Sequence, residues 1–314
     1  MKTSPLLSLA ACAAVALLPA SAFPWSGAAP AELVRESVEP DIVAHETPCD
    51  WRPVITPMAE DIVRDCGSAR EAVLALAAKL PSVSGVHYSR ERSKASMNAL
   101  EALEEKKVSC TGQSIFLICA LRSVGIPARM VGLLTWNHVL GNHTWAEAWF
   151  DGEWHMIEYN EHDFNTPWVM ENIGMLDPKE LTQRIQALTP AGDEPFLTAY
   201  AFDKRLLPAV NVSERYAQLA QEWYDRSGTS AAGQRLMVDC EQRADAPVPV
   251  CVETEAGECI SADTLPTTQD DMRRFARLTL PRDTDTRYFL RIGEGGERRP
   301  LLCTPAPVQI LRLK

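Results

Sequence analysis

The chain has 314 residues, 46% hydrophobic and 23% charged, which excludes a disordered or fibrous protein and leaves room for two domains. A formal net charge of −11 argues against nucleic acid or an anionic membrane surface as the main partner, and solubility is its simpler explanation. Beyond the N-terminus no segment approaches the ~18 to 20 apolar residues of a membrane span, so the mature chain is not expected to be transmembrane.

The first elements in chain order concern export. MKTSPLLSLAACAAVALLPASAF has one lysine, an apolar run and Ala20-Ser21-Ala22 in the small-x-small pattern that signal peptidase cuts. Residues 1–22 are the expected signal peptide, and a periplasmic or extracellular location follows. Leu9-Ala10-Ala11-Cys12 offers a rival, lipidation at Cys12; because the apolar run continues past Cys12, cleavage after Ala22 is favoured. Pro24 to Pro57, rich in proline and charge, is expected to wrap a domain instead of forming core. Ala59 to Leu80 shows helical spacing broken near Gly67, which predicts two helices or one interrupted helix, and Asn98 to Glu105 predicts a short one.

KKVSCTGQSIFLICALRSVGIPARMV follows. Apolar side chains recur at helical spacing through Ile115, Ile118, Cys119 and Leu121, so a helix starts near Cys110; Gly125 ends it and Pro127 forbids continuation. A thiol at that end feels the unpaired amides and positive pole of the helix, which favour thiolate. Taken alone, Cys110 also reads as a structural thiol or half of a disulfide. Cys119, nine residues on, falls on the opposite side of the helix and reads as core.

From Ala128 the period changes to that of strands: ARMVGLLTW, HTWAEAWF, then Asp151-Gly152, then EWHMIEYN, and Asp-Gly between two alternating aromatic runs is among the stronger local hairpin signals. Pro167 to Ser227 reads as mostly helical, with VSERYAQLAQEWY its clearest segment and Ser213 as N-cap. Past Gly233, six short strand-like runs separated by turn residues predict a small all-β sandwich, Ig- or prealbumin-like. The expected organisation is a signal at 1–22, one domain at 23–230 and the sandwich at 231–314. Of the eight cysteines left after cleavage, setting aside Cys110 and Cys119 leaves Cys49, Cys66, Cys240, Cys251, Cys259 and Cys303, whose connectivity spacing leaves open.

A nucleophilic thiol needs a base, and the base an orienting acceptor. With a two-residue turn at Asp151-Gly152, Phe150 faces Glu153, Trp149 faces Trp154, Glu147 faces Met156, Trp145 faces Glu158 and His143 faces Asn160. His143 then has Asn160 opposite and Glu158 on the diagonal. An imidazole so held can take the thiol proton through one nitrogen while the other donates to the carboxylate or amide. His138, in a turn, and His162, beyond the strand, are weaker rivals, and His155 points to the other face. The tryptophans at 136, 145, 149, 154 and 168 read as core and cleft wall. No phosphate loop or zinc-ligand spacing occurs, so no metal or cofactor is implied. Sequons stand at Asn142 and Asn211, and glycosylation of Asn142 would crowd the proposed base, which favours a bacterial host.

SCTGQSIFLICALRSVGIPAR, GNHTWAEAWFDGEW and WHMIEYN together resemble the bacterial transglutaminase-like domain, related in fold to papain-like cysteine peptidases, over about residues 30 to 230. The resemblance implies an α+β domain with N-terminal helices and an antiparallel sheet, with Cys110 as nucleophile, His143 as base and Glu158 as acid. The family usually has aspartate followed by proline where Glu158-Tyr159 stands, so Asn160 is kept as the alternative orienter. The Cys110 amide would form the oxyanion hole, with Tyr88, in the family's aromatic position upstream of the cysteine helix, as a second contributor. The expected activity is an exported cysteine peptidase or amidase acting through a thioester on a peptide or protein, including cell-wall or glycoprotein substrates. Transfer of the acyl group to an amine is the alternative, and a non-catalytic glycan- or protein-binding module is the second.

Overall fold

The computed structural model describes residues 23–136, 141–177, 180–226, 234–269, 275–281, 286–302 and 308–313. The expected signal peptide with Cys12, His138, Cys303 and the boundary near residue 230 lie outside them. Three helices, α1 (Ala31–Ser37), α2 (Arg52–Val63) and α3 (Ala69–Ser84), precede the two-residue strand β1 (His87–Tyr88). The helix α4 (Ala99–Glu105), the strand β2 (Lys107–Val108) and the helix α5 (Cys110–Ser123) follow. Next come β3 (Ala128–Leu133), β4 (His143–Phe150), β5 (Glu153–Ile157), α6 (Pro167–Ile173), β6 (Gln186–Leu188), β7 (Glu194–Pro195), α7 (Leu197–Asp203), β8 (Pro208–Asn211) and α8 (Ser213–Arg226). The remainder is strand: β9 (Gln234–Cys240), β10 (Val248–Thr254), β11 (Cys259–Leu265), β12 (Phe275–Leu280), β13 (Tyr288–Ile292), β14 (Arg298–Leu301) and β15 (Val308–Leu313).

Local chemistry sets the helix ends. Ser68 caps α3 by accepting from the Glu71 amide, and Asn98 and Glu101 form a reciprocal capping box at α4. The interruption expected near Gly67 is a full break between α2 and α3. At α5 the Ser109 hydroxyl accepts from the Gly112 amide, which fixes the first turn at Cys110. From Thr111 to Ser123 nearly every residue of α5 is buried, so it is a central helix, not one with a single apolar face.

A six-stranded antiparallel sheet, in the order β5-β4-β3-β6-β8-β7, carries this helix. Its side chains alternate between two cores, as a period of two requires. Ala128, Met130, Ala146 and Ala148 join α2, α3 and α5 on one face, whereas Val131, Leu133, Trp145 and Met156 join α6 and α8 on the other. Past residue 230, β11-β10-β13-β14 and β12-β9-β15 make two sheets sharing one core, which includes Leu236, Val252, Leu278 and Leu290. Only β15 departs from antiparallel order there, pairing parallel with β9. No helix among the described residues is long and apolar enough to cross a membrane.

Three expectations change. Pro24 to Pro57 is not only a wrapping: Trp25, Val43, Trp51 and Ile55 are buried in the main core, and buried Arg122 holds the segment by donating to the Pro40 and Ile42 carbonyls. The stretch from Pro167 to Ser227 is less helical than its composition suggests, because β6, β7 and β8 extend the sheet. Ser213 is the first residue of α8, and its hydroxyl accepts from the Ile185 amide, tying the helix to the residue just before β6.

Candidate active site

Cys110 stands half-buried at the first position of α5, and the parallel pairing of β1 with β2 brings Tyr88 opposite Val108, two residues before it. Tyr88 is exposed, with the Arg92 guanidinium over its ring. His143 opens β4 on the next element but one. Pairing of β3 with β4 in the register Gly132–Thr144 and Leu133–His143 sets its height against the helix. Gly132 is required here, since a Cβ would come within 2.7 Å of the His143 carbonyl oxygen and 2.8 Å of Thr144 Cγ2.

The hairpin forms as the Asp-Gly signal predicts, both turn residues having positive φ (54° and 88°), and its pairs include Phe150–Glu153, Trp149–Trp154 and Glu147–Met156. The ladder then ends at Ala146–Ile157, so neither Trp145–Glu158 nor His143–Asn160 forms as a strand pair. Asn160 turns out of the strand with φ 70°, is exposed, and donates its amide to the Ala77 carbonyl. Glu158, freed from the ladder, places Oε1 2.5 Å from His143 Nε2. Its other oxygen accepts a hydrogen bond from Thr166 Oγ1 at 2.8 Å. The extra methylene of glutamate is thus taken up by leaving the strand and pinned by a second partner. Thr166 lies at the start of α6; Thr-Pro in the sequence signals a helix start, and no pattern there points to the carboxylate.

With Nε2 on Glu158, Nδ1 is the ring nitrogen left for the neighbouring Cys110 thiol, and each group shifts the other's titration. Burial pushes that thiol up, but the hydrogen bond and charge of His143, with hydrogen bonds from the Thr144 side chain and backbone, outweigh it and bring the pKa down to about 7. Burial pulls His143 down, yet the Glu158 charge and the hydrogen bonds to Cys110 and Glu158 raise it to about 10. Between these values thiolate and imidazolium coexist. Thr144 is a contributor that sequence reading passed over; its neighbour on α5 is Thr111, whose hydroxyl it meets at 3.2 Å.

Indoles surround the imidazole: the ring centroids of Trp168, Trp145 and Trp136 lie 5.1, 5.7 and 5.9 Å from that of His143. They keep water from the ring and interact favourably with it when charged. Trp136 and Trp145 are buried and Trp168 is 42% exposed. Behind them, fully buried Glu147 accepts from Arg129, Arg215 and Tyr216, and the Tyr216 hydroxyl accepts from Trp145 Nε1 at 2.6 Å. His155 stacks on Phe150 and His162 is exposed; neither joins the constellation. Among the described residues no group of three His, Cys, Asp or Glu side chains could hold a metal ion.

No curated protein matches the chain. Among solved structures, it is similar to a candidate cysteine protease from Cytophaga hutchinsonii, with 19% identity, a TM-score of 0.31, and coverage of 37% of this chain and 40% of that one. A TGase structure aligns at 20% identity and a TM-score of 0.27, over 35% of this chain and 30% of that one. Red sea bream transglutaminase aligns at 11% identity and a TM-score of 0.45, over 90% of this chain and 66% of that one. The chain spans less than half the length of the first two. Residues 56–158, a segment that holds Cys110, His143 and Glu158, match the model of the transglutaminase-like superfamily.

Proposed function

We propose that this protein is a cysteine peptidase or amidase in which Cys110 is the nucleophile, His143 the general base and acid, and Glu158 the orienting carboxylate. The observation that carries this reading is the position of His143, beside the Cys110 thiol whose pKa it lowers and 2.5 Å from a carboxylate. In the first step the Cys110 thiolate adds to the substrate carbonyl carbon, and its oxygen, becoming an oxyanion, lies toward the amide of Cys110 at the helix start. Collapse of that adduct breaks the C–N bond, and imidazolium His143 gives its proton to the leaving amine. A thioester remains on Cys110. Water, deprotonated by His143, then attacks the thioester and releases the acid and the thiolate. Glu158 holds the ring in one tautomer and balances its charge.

Tyr88 contributes to the oxyanion site in this reading, through its place on the strand beside the residues leading to Cys110. Asn160 does not, since its backbone turns away from His143. The catalytic unit is residues 23–230, with 231–314 an accessory β domain, and the signal at 1–22 exports the chain to the periplasm or beyond. A glutamine peptide supplied with and without a primary amine tests the chemistry. Free acid and ammonia in both arms support hydrolysis, an isopeptide product marks amine transfer instead, and no turnover of any peptide or amide, with Cys110 intact, contradicts an enzyme.

A further inference from the structure

Outside the cleft, β10 and β11 bring two cysteines together. The register runs regularly from Val248–Leu265 to Val252–Ser261, then shifts so that Glu253 pairs with Cys259. In an unbroken ladder Glu253 would face Ile260, and Cys259 would point with Val252 into the core shared by the two sheets. The bulge moves Cys259 to the other face, the one that carries Cys251 and Glu253. There Cys251 Sγ donates to Glu253 Oε1 at 3.5 Å and Cys259 Sγ to the Ser261 carbonyl at 3.6 Å, and the two thiols are close enough to perturb one another electrostatically. Glu253 is itself held by Arg291 and Arg298.

We propose that Cys251 and Cys259 are a disulfide-forming pair, closed by exchange with a small-molecule or protein disulfide in an oxidising compartment. Three features point the same way. The two cysteines share one face of adjacent strands a diagonal step apart, Cys259 is exposed to an incoming disulfide, and β11 is the edge strand of its sheet. Burial, then the Cys259 and Glu253 groups, push the Cys251 thiol up to about 12, so Cys259 reacts first. Its thiolate attacks one sulfur of the oxidant, the S–S bond breaks, and one thiol leaves with the proton that Cys259 gave up. Cys251, losing its proton to solvent, then attacks Cys259 in the mixed disulfide and expels the second thiol. Two protein thiols and one disulfide thus give one intrachain disulfide and two thiols. Cys240 is turned elsewhere, its sulfur donating to the Gln242 carbonyl.

The full chain, incubated with oxidised glutathione, quenched with iodoacetamide and cleaved after glutamate, gives the test by mass spectrometry. Cleavage within 253–258 separates the two cysteines, so the fragments should stay joined, unalkylated and two hydrogens lighter, until a reductant parts them. In Cys251→Ser the reaction should stop at a glutathione adduct on Cys259. Alkylation of both cysteines in the native chain, a lasting glutathione adduct on native Cys259, or a link from either to another cysteine overturns the proposal.

Discussion

The chemistry of the site rests on polar groups that can be altered singly. Cys110→Ala should lower turnover on the order of 10³-fold or more, measured as kcat/KM on any cleaved peptide. Glu158→Gln keeps the shape but removes the charge that holds His143 up. The imidazole pKa should fall from about 10, so the alkaline limb of the pH profile moves down, and kcat/KM drops about 10²-fold. An unchanged alkaline limb would separate Glu158 from the base. Thr144→Val removes a side chain that lowers the Cys110 pKa and should raise that pKa, while stranding the buried Thr111 hydroxyl should cost about 1 kcal/mol or more in urea unfolding. Cys110 and His143 were legible from helix-start and hairpin patterns because both signals are local. Glu158 was legible as a residue but not in its placement: alternation put it inside the strand, while the chain leaves the ladder at Ile157 and Thr166 fixes the carboxylate from a segment no local pattern connects to it.

Two elements hold these residues in place, the β3–β4 pair and the buried carboxylate behind it. Gly132→Ala forces a methyl against the His143 carbonyl and the Thr144 side chain, so activity should fall further than the urea midpoint does. Equal losses would mean that the strand merely unfolds. Glu147→Gln leaves Arg129 and the partly exposed Arg215 facing a neutral amide, and a cost of about 3 kcal/mol in urea unfolding is expected. Helix α5 and the hairpin were readable because caps, an Asp-Gly turn and a clean period of two or 3.6 mark them. Strands β6, β7 and β8 were not, since runs of two to four residues show no period and owe their form to partners far along the chain. The same reason hid the core role of Trp25 and Trp51, whose partners are α5 and the loops around it.

At the scale of the whole molecule, among the described residues the two cores around α5 and the sheet draw none beyond Trp223, and the core of the two C-terminal sheets draws none before Leu236. Met175 against Met237 and Phe275 is the buried apolar cluster that joins them. A chain ending at residue 230 should therefore fold and alkylate at Cys110 within about twofold of the full-length rate; aggregation or loss of that reactivity would join the two parts into one unit. The proposed division rests on changes in composition and period near Gly233, because strand-rich and helix-rich textures differ over long windows even where single elements do not. The reading as a whole turns on whether the sulfur of Cys110 is ionised by its neighbours. Its rate of reaction with iodoacetamide in the full-length protein, followed peptide by peptide from pH 5 to 10, measures that directly. A rise centred near 7, moved upward in His143→Ala, is the expected result; a rise only near the free-thiol value of about 8.5, indifferent to His143, would contradict it.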